Sequence, residues 1–247
     1  MPLLTDRNLD KKTLATNHYG YSATRMADLG ASEYTLVTIA CDTSGSVSNF
    51  QNELTEALKR IVQACQFSPR ADNLLLRLVE FNSQMNELHG FKLLPYCHLA
   101  DYNKILNIGG STALFDAVEN AVSATTDYAK QLAQAGYAAN AIVFVLTDGC
   151  DNVSTLSAQA VKQALCHAVA GESLESMVSI LVGVNVQDAN VSRELQAFHT
   201  GAGFTQYVEI GRADAPTLAR LADFVSRSIS LQSSMLGTGG PSRSLTF

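Results

Sequence analysis

From residue 34 to residue 231 the apolar pattern of the chain changes period again and again, and this alternation restricts the fold more than any other feature. Five strand-length runs, "YTLVTIACD", "NLLLRLVEFN", "AIVFVLTD", "MVSILVGV" and "FTQYVEI", are dense in apolar and β-branched residues. A sixth, "MNELHGFKLL", follows its predecessor closely enough to fold back on it as a hairpin. The segments between have helical spacing. Phe50, Leu54, Ala57, Leu58, Ile61 and Cys65 fall on one face of a first helix, and Leu114, Val118, Ala121, Val122 and Ala129 on one face of a second. Further helices are expected from Ser157 to Ala170, from Asp188 to a stop at Gly201, and from Asp214 and Pro216 onward. Ser48 followed by Gln51 resembles a capping box for the first helix, and Gly136 closes the second. Strand and helix in such regular succession imply an α/β domain with a mostly parallel sheet and helices on both faces.

A length of 247 residues suits one large domain. With 47% apolar and 16% charged residues the chain can bury a sizeable core. The net charge of −6 argues against a nucleic-acid backbone as the main partner, which would need a basic face. The opening "MPLLTDRNLDKK" lacks an apolar signal core, and the longest apolar runs are too short to span a bilayer. Five scattered cysteines suit reduced thiols. The expectation is a cytoplasmic protein with no membrane partner. Residues 1–33 are expected as a polar, irregular extension able to wrap the domain, 34–231 as the domain itself, and 232–247 as a flexible tail rich in Gly and Ser.

In an open parallel sheet, ligands bind beyond the carboxyl ends of the strands. Three segments bring oxygen-bearing side chains to that rim. Asp42, Ser44 and Ser46 directly follow the first strand of the domain. Thr112 stands in "GGSTALFDA" at the start of the long helix, and Asp148, in "LTDGCDN", ends the most apolar strand. All five are hard oxygen donors, with no Cys or His among them. Such a set suits Mg2+ or Mn2+, and Ca2+ as well, better than zinc or copper. Gly45 lets the backbone turn tightly so that both serine hydroxyls can face one centre. A dication held largely by hydroxyls stays poorly neutralised, and so remains open to a carboxylate from another protein.

The three elements, D-x-S-x-S, a threonine after Gly-Gly, and an aspartate in T-D-G, resemble the metal-ion-dependent adhesion site (MIDAS) of the von Willebrand factor type A (vWA) domain family. The resemblance covers about residues 34 to 231, and all five positions match: Asp42, Ser44, Ser46, Thr112 and Asp148. It implies a Rossmann-like three-layer sandwich whose third strand is an antiparallel edge. The family divides into extracellular adhesion receptors and intracellular members, and this chain resembles the intracellular, stand-alone bacterial kind. In those the domain typically acts as an adaptor, often with a MoxR-like AAA+ ATPase or within multi-gene stress-response systems. The implied function is a metal-dependent protein-protein interaction module that takes an exposed Asp or Glu of its partner.

Each piece also has a plainer use. Asp42, Ser44 and Ser46 are favoured helix-capping residues, Thr112 alone suits a cap, and Asp148-Gly149 can form an ordinary turn. From a different class comes a Mg2+-dependent phosphatase or hydrolase-like enzyme, since Asp42 stands where such phosphatases carry their phosphoryl-accepting aspartate. Ser44, however, occupies the place of their second acid, and neither a GxSxG elbow nor a P-loop lysine is present. A third reading is a structural subunit whose metal only stiffens the loops. Asp151 reads as a solvated loop carboxylate and Cys41 as a small buried hydrophobe. His18, His89, His98, His167 and His199 lack ligand spacing and read as structural or surface residues.

Overall fold

A computed structural model describes residues 8–14, 19–103, 105–238 and 244–247. In chain order the strands are β1 (Leu9–Lys12), β2 (Tyr21–Thr24), β3 (Glu33–Asp42), β4 (Leu74–Phe81), β5 (Met85–Leu93), β6 (Ala138–Thr147), β7 (Met177–Val184) and β8 (Gln206–Ile210). The helices are α1 (Gln51–Gln66), α2 (Leu114–Gln134), α3 (Ala158–Ala170), α4 (Ala189–Ala202) and α5 (Ala215–Met235). All these strands share one sheet, in the order β1-β2-β5-β4-β3-β6-β7-β8. β3 lies between β4 and β6 and is parallel to both, and β7 and β8 continue in the same sense.

Side chains alternate across β3, and this divides the core into layers. Val37, Ile39 and Cys41 join Leu58 and Ile61 of α1 and Leu221 and Phe224 of α5. Ala40 on the opposite face joins Val143 and Val145 of β6, Val118 and Val122 of α2, and Val161 of α3. Burial on both faces is why the central runs are continuously apolar. The register pairs Asp42 with Phe81 and Cys41 with Leu146. The carboxyl ends of β3, β4 and β6 therefore finish level with one another.

The expected antiparallel strand is β5, which pairs with β4 from Leu75↔Leu93 to Phe81↔Met85. The sheet continues beyond it. Part of the segment expected as an irregular extension forms β2, parallel to β5, and β1, antiparallel to β2. Neither "LDKK" nor "YSAT" has a period that announces a strand; bonds to the neighbouring strand and helix define their place. Ser22 donates from its backbone N–H and its hydroxyl to Glu87 Oε1 at 2.8 and 2.6 Å, and the Thr24 hydroxyl donates to the Phe91 carbonyl at 2.9 Å. From α2, the Tyr128 hydroxyl donates to the Thr24 carbonyl at 2.7 Å. β2 approaches so closely that a Cβ on Gly90 would lie 2.0 Å from the Ser22 carbonyl oxygen, so the position requires glycine. Residues 1–7 and 15–18 lie outside the described residues.

A buried ion pair sits beside this seam. Arg77 of β4, fully buried, donates from Nε to Glu87 Oε2 at 2.7 Å and from Nη2 to Asn120 Oδ1 at 2.9 Å. Its guanidinium lies 5.9 Å from the centre of the Phe91 ring.

Three helix ends differ from expectation. Ser48 and Gln51 form no capping box, because Gly45–Phe50 winds as a tight 3-10 stretch and α1 starts at Gln51 without a side-chain cap. The Gln51 amide donates instead to the Leu106 carbonyl at 2.9 Å. α4 runs through Gly201 and ends at Gly203, whose left-handed φ of 85° suits glycine. The segment expected as a flexible tail, 232–247, begins inside α5, which extends to Met235. Its last residues touch the domain at two points, although only Leu245 is half-buried and Phe247 stays exposed. Gln206 Nε2 donates to the Leu245 carbonyl at 2.8 Å, and the Phe247 ring stands edge-on to Phe224 with centroids 5.6 Å apart. These two apolar anchors override the Gly/Ser composition around them. Residues 239–243 lie outside the described residues.

Candidate metal centre

Asp42 ends β3 and Thr147 ends the adjacent β6. The Thr147 hydroxyl donates to Asp42 Oδ2 at 2.7 Å, and the Ser44 backbone N–H donates to Asp42 Oδ1 at 2.8 Å. The Ser44 hydroxyl lies 3.1 Å from that of Ser46, which donates to Asp148 Oδ1 at 2.8 Å. Four of the five sequence-derived residues are thus joined in one chain of contacts. Asp42 and Ser44 are buried, Asp148 is half-buried and Ser46 is exposed, so the cluster opens to solvent on one side.

Thr112, also buried, arrives on the second loop. Among the described residues no hydrogen bond links its hydroxyl to the other four; backbone bonds set its place. The Gly45 N–H donates to the Gly110 carbonyl at 3.1 Å, and the Gly109 N–H to the Thr43 carbonyl at 2.8 Å. The Thr112 N–H donates to Asn152 Oδ1 at 2.9 Å, and the Asn152 N–H returns to the Thr112 carbonyl at 3.0 Å. Gly110 has a φ of 80°, and a Cβ there would lie 2.6 Å from the Ser83 hydroxyl oxygen. Both the turn and the close approach call for glycine.

The electrostatics of this cluster are uneven. Burial pushes the Asp42 carboxyl up to about 6; bonds from Thr147 and Ser44 offset part of the rise, and the neighbouring Asp148 adds to it. Burial also raises the Asp148 carboxyl, against the bond from Ser46. The hydrogen-bond partners of Asp42 are all neutral. Two desolvated carboxylates with neutral donors lack positive charge, and a hard divalent cation would supply it. The donor set of carboxylates and hydroxyls fits Mg2+, Mn2+ or Ca2+. No group of three His, Cys, Asp or Glu that could hold a metal occurs among the described residues, so any cation here would depend on the hydroxyls.

Sequence reasoning missed several supporting residues. Thr147 carried one sign, its place beside Asp148 at a strand end, whereas nothing in the sequence marked Asn152. Asp151, expected as a solvated carboxylate, accepts from the Phe115 N–H at 3.2 Å and from the Ser154 hydroxyl, and so ties the third loop to the start of α2. Asp116 ties it again, accepting from the Leu156 N–H at 2.8 Å. Cys41 is buried, as expected of a small hydrophobe. Burial, with Glu194 nearby, pushes the Cys150 thiol up to about 12, which disfavours its thiolate. His89 is buried against the Tyr102 hydroxyl at 2.8 Å, and His18 lies outside the described residues.

No protein-family model matches the chain, and no curated protein matches it. Solved structures do. The pilus adhesin SpaC from Lactobacillus rhamnosus GG, in its open conformation, superposes with a TM-score of 0.61 at 11% identity, over 90% of this chain and 33% of that one. The PilB minor pilin from Streptococcus sanguinis gives 0.56 at 15% identity, over 88% and 66%. Proximal thread matrix protein 1 from the mussel byssus, in a structure with a zinc-occupied MIDAS motif, gives 0.54 at 18% identity, over 81% and 47%. The chain spans about a third of the adhesin and less than half of the byssus protein. At these identities the likeness is one of fold. The protein is of the α/β class, with a Rossmann-like, vWA-like sandwich. No helix among the described residues is long and apolar enough to cross a membrane.

Proposed function

We propose that this chain is a metal-dependent protein-interaction module whose rim receives an Asp or Glu side chain from a partner protein. The observation that carries the reading is Asp42: 2% exposed, bonded to neutral donors, and joined through Ser44 and Ser46 to a second carboxylate, Asp148. A bound divalent cation supplies an open coordination position for an external carboxylate. Asp42, Ser44, Ser46, Thr112 and Asp148 would hold it, with Thr147 and Asn152 fixing Asp42 and Thr112. Mg2+ or Mn2+ is the cation proposed, with Ca2+ as a further candidate. The zinc in the byssus protein's MIDAS belongs to that protein, yet it supports the use of such a site for a dication.

Without a cation, Asp42 and Asp148 make the rim negative and repel an acidic group. With one, the local sign reverses and the exposed side at Ser46 becomes attractive to a carboxylate. A charge-assisted contact of this kind is roughly twice as strong as a neutral hydrogen bond, enough to make association conditional on the cation. We propose an adaptor role in the cytoplasm, consistent with five free cysteines. A MoxR-like AAA+ ATPase is the partner class suggested by the family resemblance.

The test has two stages. Calorimetric titration with Mg2+, Mn2+ and Ca2+ is expected to give saturable binding that Asp42→Ala abolishes. Partner capture is then expected in Mn2+, and to be lost in chelator and in Thr112→Ala. Equal capture in chelator and by Asp42→Ala would place the contact surface elsewhere. Turnover of phosphoesters by the metal-loaded protein would favour the enzyme reading instead.

A further inference from the structure

The loop that carries Thr112 has no helix or strand between Ile105 and Ala113, and it contains Gly109 and Gly110 at φ 151° and 80°. Two adjacent glycines give the segment little stiffness of its own, so its shape must be imposed from outside. Downstream of the glycines the Ser111 N–H donates to the Ser83 hydroxyl at 2.9 Å, Thr112 is held by Asn152, and the Ala113 N–H donates to the Asn82 carbonyl at 2.7 Å. Upstream, Ile105 and Leu106 are buried in the core and the Gln51 amide holds the Leu106 carbonyl at 2.9 Å. The residue nearest the glycines on that side with side-chain hydrogen bonds is Asn107, held by Glu80.

Glu80 is the penultimate residue of β4, opposite Cys41 in the register and 4% exposed. Its Oε2 accepts from the Asn107 backbone N–H at 2.8 Å. Its Oε1 accepts from Asn107 Nδ2 at 2.9 Å and from Asn86 Nδ2 at 3.0 Å. All three partners are N–H donors, and a carboxylate is the acceptor-only group of that shape. Glutamine would set an amide N–H against the Asn107 backbone N–H or force both the Asn107 and Asn86 side-chain amides to turn over. Burying a carboxylate is costly unless every oxygen is used, and here both are. These bonds are also charge-assisted, unlike the Ser83, Asn152 and Asn82 bonds that hold the loop's other end.

Building on the metal site proposed above, we propose that Glu80, acting through Asn107, is the positioning residue that holds the Thr112 loop in the geometry a bound cation needs. Glu80 touches neither cation nor partner. It fixes Asn107, two residues before the glycine pair, so that Gly109 and Gly110 keep their bonds to Thr43 and Gly45 and the Thr112 loop stays against the loop that follows β3.

The experiment measures Mn2+ affinity on the full chain by calorimetry, for wild type, Glu80→Gln and Asn107→Ala, at low and high salt. Glu80→Gln is expected to weaken Mn2+ binding about tenfold through loss of charged hydrogen bonds. That variant also removes a negative charge near the cation, so Asn107→Ala, which leaves the charge unchanged, is the decisive one. It is expected to weaken binding about threefold, equally at both salt concentrations, for the loss of one side-chain bond. Amide resonances of Gly109, Gly110 and Thr112 in the metal-free protein are expected to shift in both variants, with the melting temperature lowered in both and more so in Glu80→Gln. If Asn107→Ala binds Mn2+ as wild type does, the inference is overturned, whether or not Glu80→Gln is weaker. If Glu80→Gln fails to fold, Asn107→Ala decides alone. If wild type itself binds none of Mn2+, Mg2+ and Ca2+, the metal-site reading fails and takes this inference with it.

Discussion

Two carboxylates of this sheet, Glu87 and Asp42, are treated in opposite ways. At the flank, Glu87 of β5 meets the fully buried guanidinium of Arg77, and Ser22 and Asn120 complete the network. At the rim, Asp42 is more deeply buried than Glu87 but meets only a hydroxyl and a backbone N–H, with a second carboxylate two serines away. Charge is balanced inside the fold at the flank and left unbalanced at the rim. The same sheet can supply an arginine where balance is needed, so its lack at Asp42 is local. An internally neutralised pair serves the fold; two unneutralised carboxylates brought together, as Asp42 and Asp148 are, invite a cation from solution.

The largest effect that could break this contrast belongs to the flank. Arg77→Ala leaves the largely covered Glu87 without its cation and with only the Ser22 bonds, and a loss of about 3 kcal/mol is expected in urea unfolding. Mn2+ affinity of the folded fraction should not change. A mild loss would mean that water reaches Glu87 and that the two regions are more alike than the geometry indicates.

The rim should behave in the opposite sense. Asp42→Ala removes a desolvated carboxylate, so metal-free stability is expected to stay level or rise. What disappears is the gain from Mg2+ or Mn2+, which for wild type is about 2.7 kcal/mol at one hundred times the dissociation constant. Should metal-free Asp42→Ala melt as early as Arg77→Ala, Asp42 is a structural cap and the contrast collapses.

Acidity sharpens the comparison further. The folded-state value of Asp42 is raised to about 6, above its ordinary 3.8, so the metal-free native state holds this proton more tightly than the unfolded chain does. Its contribution therefore stabilises the metal-free protein at low pH and fades as pH rises from about 4 through about 6. Cation binding needs the carboxylate ionised, so affinity is expected to fall roughly tenfold per pH unit below about 6, for one displaced proton. Melting curves and Mn2+ titrations of wild type against Asp42→Asn isolate this group. An identical pH dependence in the two proteins would remove Asp42 from the linkage.

The smallest expected effect is at neither place. Phe247→Ala should cost about 1 kcal/mol, the scale of one aromatic pair, and leave metal binding untouched. A null result in thermal unfolding would return the last residues to the status of an unpacked tail.

What could be read beforehand follows from the same division. β3, β6 and β7 were legible because burial on both faces leaves unbroken apolar runs, and α2 because one face repeats over 21 residues. The residues of the candidate centre were legible because each stands at the end of such an element. β1 and β2 were not, since their identity rests on Gly90 admitting a close neighbour and on Glu87 accepting from Ser22, neither of which has a local period. The start of α1 misled because the Ser48 hydroxyl is a capping residue by type, while the backbone there winds as a 3-10 turn. Glu80 and Asn152 were invisible because their partners lie 27 and 40 residues away.

The parallel order of the sheet also has a bearing on how the protein is made. Thr147 and Asp42, which bond directly, are separated by 105 residues, and Ser46 and Asp148 by 102. During vectorial synthesis β3 emerges early, yet one of its two neighbouring strands is still unmade until residue 147 leaves the ribosome. Contacts of such high sequence separation form late and slowly. The rim therefore comes into being only once the central strands have closed on one another. A nascent or truncated chain that stops short of Asp148 would carry the opening half of the motif with nothing to complete it, so any ligand of the finished rim would distinguish mature molecules from incomplete ones.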